Sequence, residues 1–177
     1  SISFGINTTF TKNNGESYTD AKYRFFKYAI TTDSLQNQFY DTYGGVQAFT
    51  HQSASPVLGS LNSGMQLYRI KYERPTLFKK IKYALHLPQY LSYLISGIPC
   101  SDITSIGCHT NLWDFNKMQY HQWVKEEGVL EKLAPILPGN EALTTNFMGN
   151  NYFVGIGLHD SSAALIPYLV NFHEPFV

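Results

Sequence analysis

An α/β fold is predicted by two features of this sequence. The first is the stretch Tyr152-Phe-Val-Gly-Ile-Gly-Leu-His-Asp160-Ser-Ser-Ala-Ala-Leu165, where an apolar run meets two glycines, a polar pair and then small residues. It reads as a buried strand, a tight turn, and a helix opening near Ser161 and Ser162. The second is composition. Hydrophobic residues make up 44% and charged residues 15%, with 13 Tyr and 12 Phe. Such an interior favours packed sheet and helix over a bundle of simple aliphatic helices. At 177 residues the chain is long enough for one domain.

Thirteen basic and thirteen acidic residues leave no net charge. That balance argues against nucleic acid or an anionic membrane as a partner, because both call for a basic surface. The two cysteines, Cys100 and Cys108, lack CxxC spacing and read as reduced thiols in a cytoplasmic protein. The six histidines (His51, His86, His109, His121, His159, His173) have no HxH or HxxxH spacing, so no metal site is expected. No 18-residue apolar run or signal-like N-terminus is present. Neither Ser105, Ser161 nor Ser162 sits in a G-x-S-x-G setting, which speaks against a hydrolase elbow.

Taken in order, residues 1–16 alternate loosely around Gly5 and end in Asn13-Asn14-Gly15, predicting two strand pieces and a turn. Ser17 to Thr32 fits neither period. Asp33-Ser34 caps a helix through Tyr43, with Leu35, Phe39 and Tyr43 on one face and Gly44-Gly45 as its stop. Gln47 to Ser60 reads as loop, broken by Ser55-Pro56 and Gly59. Ser60 caps a helix from Leu61 to about Glu73, with Met65, Leu67, Tyr68 and Tyr72 inward, and Pro75 opens a short helix over Thr76 to Ile81. From Lys82 a strand runs to Pro88, followed by an apolar helix closed by Gly97. Residues 118–134 predict two short helices parted by Gly128, and a loop with Pro135 and Pro138-Gly139 leads to a turn at Met148–Asn151.

Asp160 is the residue of most chemical interest. Its spacing allows two readings, an N-cap or a carboxylate at the end of a buried strand whose pKa burial raises toward neutrality, on the floor of a crevice. The segment Gly155-Ile-Gly-Leu-His-Asp160-Ser-Ser-Ala-Ala164 resembles the Gly-x-x-His-Asp-x-x-x-Ala strand–turn–helix of the FGGY family of carbohydrate kinases, closest to its rhamnulokinase-like and fuculokinase-like branch. The run Leu87-Pro-Gln-Tyr-Leu-Ser-Tyr-Leu-Ile-Ser-Gly97 is similar to another element of that family, and Ser105, Thr110 and Asp114 match in type a Thr/Ser-rich strand and following Asp ahead of Trp123.

The resemblance implies an actin-like ATPase (RNase H-like) domain, with a mixed sheet flanked by helices. It also implies that residues 1–177 form an incomplete N-terminal, sugar-side domain, without the first phosphate hairpin and the C-terminal nucleotide domain. It implies ATP-dependent phosphorylation of a small ketose or deoxyketose, with Asp160 as general base and the chain inactive alone. His159 is placed to hydrogen-bond a sugar hydroxyl, or it is a satisfied core histidine. Ser161 offers a hydroxyl or a helix N–H. Phe4-Gly5 matches an aromatic-Gly pair, and Asn7 falls where rhamnulokinases commonly carry an acid; Asn7 also reads as an ordinary strand-edge residue.

The match has gaps. The family's Trp-x-Asp-x-Arg sugar loop is absent from residues 17–32, and a Lys and a Trp usual in its later helix give way to Gly64 and Tyr68 or their neighbours. No GxxxxGK[ST] or Asp-x-Gly-Thr turn is present, so ATP and Mg²⁺ are expected to be held largely outside this chain. The rival reading is a non-catalytic sugar-binding or regulatory module that keeps the family's shell. The implied partners are a small sugar and the missing C-terminal domain; a homodimer is compatible.

Overall fold

A computed structural model describes residues 8–11 and 33–174, and the predicted turn at 13–15 lies outside them. In chain order the elements are β1 (Thr8–Thr11), α1 (Asp33–Thr42), α2 (Val46–Ser53), a 3-10 turn (Gly59–Leu61), α3 (Ser63–Glu73), α4 (Pro75–Lys80), β2 (Tyr83–His86) and α5 (Leu87–Ser96). Then follow α6 (Ile103–Ile106), β3 (Trp113–Asp114), β4 (Gln119–Tyr120), α7 (Gln122–Glu126), a second 3-10 turn (Leu130–Lys132), β5 (Ala142–Phe147), β6 (Asn150–Gly155) and α8 (Asp160–Asn171). Among the described residues the strands form three antiparallel pairs: β1 with β2, β3 with β4, and β5 with β6. One isolated parallel bridge joins Ser101 to Ile136.

The core is an aromatic knot. Phe39 and Tyr40 stand side by side on α1, and both are buried. Around the Phe39 ring stand Tyr40, Phe49, Tyr68 and Trp123, edge-on at centroid distances of 5.0–5.2 Å. Edge-to-face pairs of this kind add about 0.5–1.5 kcal/mol each beyond the area they bury. They join α1, α2, α3 and α7, and Met65, Leu67, Ile70 and Leu112 complete the cluster.

The middle of the chain follows its sequence signals. Pro75 stands at the first position of α4, where its missing N–H costs nothing. Pro88 likewise lies in the first turn of α5, and Gly97 caps that helix with φ 70°. Gly128, at φ 65°, separates α7 from the second 3-10 turn.

Several expectations are corrected. Residues 47–53, expected as loop, belong to helix α2, because Phe49 buries completely in the aromatic knot and holds α2 in place. Helix α3 begins at Ser63, after a separate 3-10 turn that contains Ser60, and Tyr72 is 45% exposed rather than inward. The Ser/Thr-rich segment after Ser101 is a single helical turn, since the Asp102 side chain accepts the Thr104 N–H at 2.9 Å and caps it. Met118 lies at φ 51° between β3 and β4, outside any helix. Residues 142–147 form a strand, and Met148-Gly149, with φ of 50° and 82°, make its hairpin turn to β6.

The strand expected to be buried is not. Tyr152 is 46% and Phe153 82% exposed, and the packing of α5 against the β5–β6 hairpin leaves both open. A continuous apolar run describes a strand covered on both faces.

A polar clasp locks the helices together at the edge of the core. Glu127, just past α7, accepts a hydrogen bond from Tyr43 Oη at 2.7 Å and from Lys71 Nζ at 2.5 Å, with Tyr72 Oη at 3.1 Å. Lys71 Nζ also donates to the Glu127 carbonyl at 2.8 Å. Burial by itself would raise the Glu127 pKa, but these donors outweigh it and hold the carboxyl below its ordinary value of 4.5. Its contribution is therefore present above that value and is lost as the pH falls through the depressed one. Glu127→Gln is expected to cost about 1–3 kcal/mol in urea unfolding at pH 7, and the gap to the parent should narrow at acid pH. An unchanged unfolding midpoint at pH 7 would show that the clasp contributes nothing.

Candidate functional site

The stretch from Gly155 to Ser161 turns from β6 into α8 over a floor built by three other elements. Gly157 sits at φ 85°, and a Cβ there would lie 2.8 Å from the Pro88 carbonyl oxygen. Only glycine allows this turn to settle so closely on the start of α5. Gln89, fully buried on that same first turn, donates its Nε2 to the Gly157 carbonyl at 2.7 Å. On the other side, Thr104 Oγ1 accepts the His159 N–H at 2.9 Å. The turn is thus fixed at its second glycine and at its histidine.

His159 is the N-cap of α8, and its carbonyl accepts the Ala163 N–H at 2.9 Å. The residue is 5% exposed. Its Nδ1 stands 3.0 Å from Asp160 Oδ1 and 3.3 Å from the Ser161 nitrogen. Both tautomers find a partner there: a protonated Nδ1 donates to the carboxylate, and a bare Nδ1 accepts from Ser161 N–H.

Asp160 is the first residue of α8, so the cap role that its spacing allowed is filled by His159 instead. The Ser161 N–H donates to Asp160 Oδ1 at 2.7 Å, and Ser161 Oγ is 3.4 Å from the same oxygen. The expectation of a buried carboxylate is corrected. Its side chain is 71% exposed, on a helix with no buried residue, and neither groove described below includes it, so the expected crevice floor is corrected as well. What the site provides is orientation, through one helix N–H and one imidazole.

Beneath this turn lies His86, which the sequence reading passed over. It ends β2, is 4% exposed, and has its Nε2 3.1 Å from Ser63 Oγ. Burial, and secondarily the nearby His159, push its imidazole down to about 4. No sequence signal marks His86, Gln89 or Thr104 as neighbours of Asp160; Asp102-x-Thr104 is legible only as a helix cap. Gly5 and Asn7 lie outside the described residues, although β1, which begins directly after Asn7, pairs Thr8 with His86.

Two open grooves occur elsewhere. One of about 630 Å³ lies beside Gly44, Gly45, His51 and Asn116, and one of about 350 Å³ is lined by Tyr43, Gln52, Asp114 and His121, among others. Neither includes His159, Asp160 or Ser161 in its lining. Among the described residues no three His, Cys, Asp or Glu side chains come together as a metal site. No described helix is long and apolar enough to cross a membrane.

No protein-family model matches this chain, and no curated protein does. Solved structures do. A carbohydrate kinase from Novosphingobium aromaticivorans aligns over 91% of this chain at 23% identity and a TM-score of 0.74. A xylulose kinase from Lactobacillus acidophilus aligns over 90% at 12% identity and 0.67, and a xylulose kinase from Brucella ovis over 89% at 15% identity and 0.64. The chain therefore has the fold of part of these kinases. It spans about a third of their length, covering 34%, 34% and 32% of the respective chains.

The buried His86 also sets a pH dependence. Its folded pKa is depressed below the ordinary 6.5, so its contribution is complete above pH 6.5 and falls away as the pH drops toward 4. The unfolded chain binds the proton first. We expect the melting temperature to decline through that window by an amount equivalent to about 3 kcal/mol, and His86→Gln to flatten the decline. An equally steep fall in the variant would assign the acid sensitivity to another group.

Proposed function

We propose that this chain is the sugar-side part of an ATP-dependent carbohydrate kinase with an actin-like fold, and that Asp160 is its general base. The observation that carries the reading is the seat of Asp160. In a fold shared with sugar kinases, a carboxylate stands exposed on the first turn of a helix, held by Ser161 N–H and His159. In that position one carboxylate oxygen engages the protein's own donors and the exposed group can take the proton from a sugar hydroxyl. As the proton leaves, the hydroxyl oxygen becomes the nucleophile toward the terminal phosphoryl group of ATP. The Ser161 hydroxyl and, although its ring is nearly buried, His159 are proposed to contact neighbouring sugar hydroxyls. Gly5 and Asn7 are proposed as further sugar-binding residues. A ketose or deoxyketose is the substrate class the motif favours.

ATP and Mg²⁺ are proposed to be held largely outside this chain. Among the described residues no carboxylate cluster forms a metal site, so nucleotide handling is assigned to the C-terminal domain of the same enzyme. Helix α8 supports that assignment. It is apolar around much of its circumference, yet Leu165, Ile166, Tyr168, Leu169 and Val170 are 45–67% exposed, as is Phe172 just past its end. A helix of that kind belongs inside a protein. Covering α8 with the nucleotide domain would place Asp160 on the wall of a cleft between two bodies and exclude water when they close. The neutral charge balance and lack of a membrane-crossing helix among the described residues suit a cytoplasmic enzyme of this kind.

Asp160→Asn in the full-length protein should lower sugar-dependent ATP turnover by about 10²–10⁴-fold while sugar affinity by calorimetry stays within about tenfold. Near-normal kcat in this variant would remove Asp160 from the base role. Sugar binding that ATP leaves unaffected, with no turnover in the parent, would instead favour a binding module.

A further inference from the structure

Hydrogen-bond direction around Thr104 has a consequence for Asp160. Asp102 is fully buried, and its Oδ1 accepts both the Thr104 N–H, at 2.9 Å, and the Thr104 hydroxyl. A carboxylate oxygen can only accept, so the hydroxyl proton must point toward Asp102. The lone pairs of Thr104 Oγ1 are then turned to the other side, where the His159 N–H meets them at 2.9 Å. The order Asp102, Thr104, His159 is therefore a one-way relay with a fixed polarity. It ends one residue before Asp160.

Gln89 acts on the same turn from α5. Its Nε2 faces the Gly157 carbonyl at 2.7 Å, and the reverse orientation of the amide would set two oxygens against each other. Its Oε1 is buried with no hydrogen-bond partner among the described residues. Asp102 Oδ2 is buried and unpartnered in the same way. Two fully buried polar side chains therefore hold, directly or through Thr104, one turn that ends at the exposed Asp160.

We propose that Thr104, oriented by Asp102 and supported by Gln89, is a positioning residue for Asp160: it fixes the His159 backbone and so the direction in which the carboxylate meets the sugar hydroxyl. This inference rests on the kinase reading above and deepens it. Thr104 itself touches neither substrate nor the reacting atoms. It acts by holding the base within near-attack geometry, where displacements near 1 Å cost about a hundredfold in rate.

The test uses the full-length protein. Thr104→Val keeps the shape and removes both hydroxyl bonds, while Thr104→Ser keeps them. The expected result is a 10–100-fold fall in kcat for Thr104→Val with KM for the sugar within about threefold, and recovery to within about threefold of the parent in Thr104→Ser. Amide exchange followed by mass spectrometry supplies a readout independent of activity. Peptides covering residues 155–162 should exchange at least about tenfold faster in Thr104→Val, with peptides around Trp123 unchanged. Parental kcat and parental exchange in Thr104→Val would overturn the proposal, as would a loss that Thr104→Ser fails to restore. An active Asp160→Asn would instead sink the general-base reading, whatever the exchange data show. Should Thr104→Val not fold, Gln89→Met removes the second anchor and is judged by the same split between kcat, KM and exchange.

Discussion

The close approach of α3 to the segment after α6 is the constraint on which the rest of the structure depends. The Gly64 N–H donates to the Thr110 carbonyl at 2.8 Å, and a Cβ on Gly64 would stand 2.5 Å from that oxygen and 3.0 Å from the Trp123 ring. Trp123 in turn donates its indole N–H to the Asn111 carbonyl at 2.7 Å while its ring packs edge-on against Phe39. Backbone, glycine and indole therefore interlock at one point. Any larger residue at Gly64 would have to move backbone, which a close-packed interior resists. The consequence reaches the candidate site by contact. Ser63, next to Gly64, meets His86; His86 leads through Leu87 to Pro88 and Gln89; and those two hold Gly157. The turn that carries Asp160 is thereby referenced to the aromatic knot.

What was legible in the sequence was whatever short-range chemistry decides. The α1 face is written in Phe39 at helical spacing before Gly44-Gly45, and α5 in Pro88 and Gly97. Both depend on residues within a turn or two of each other. Helix α2 was not legible, because Ser55-Pro56 and Gly59 mark the stretch as loop and only the burial of Phe49 among distant aromatics decides the matter. Strand β5 failed for a similar reason. Ala142-Leu-Thr-Thr-Asn-Phe147 carries little apolar alternation, and it is a strand because β6 pairs with it in register from Ala142–Gly155 to Phe147–Asn150. Tertiary context overrides local preference in such cases.

The site divides along the same line. That a helix opens near Asp160 follows from two glycines, a polar pair and small residues, and the motif marked the carboxylate as chemically interesting. The exchange of roles, with His159 capping and Asp160 one residue inside, turns on backbone angles that composition does not carry. Thr104 reaches His159 across 55 positions, and Gln89 reaches Gly157 across 68. No spacing rule spans such separations. The expectation that Asp160 lies buried failed because an apolar strand was assumed to have neighbours on both faces. Here α5 packs on β6 and Phe153 stays exposed.

That exposure fits the proposed chemistry. A general base must meet its substrate, so it cannot be sealed within the body that carries it, yet proton transfer is best separated from bulk water. A single rigid body can satisfy only half of this. It can build a floor, and here the floor is made of groups whose orientation leaves little choice: a hydroxyl directed by a buried carboxylate, an amide directed by a carbonyl, and a glycine pressed onto a proline. On the proposed function the other half comes from a surface that closes over the exposed carboxylate and over the apolar side of α8. On this reading the exposure of Asp160 and the exposure of Leu169 and Val170 have one origin, a helix whose first turn faces the substrate and whose later turns face the body that shuts it in.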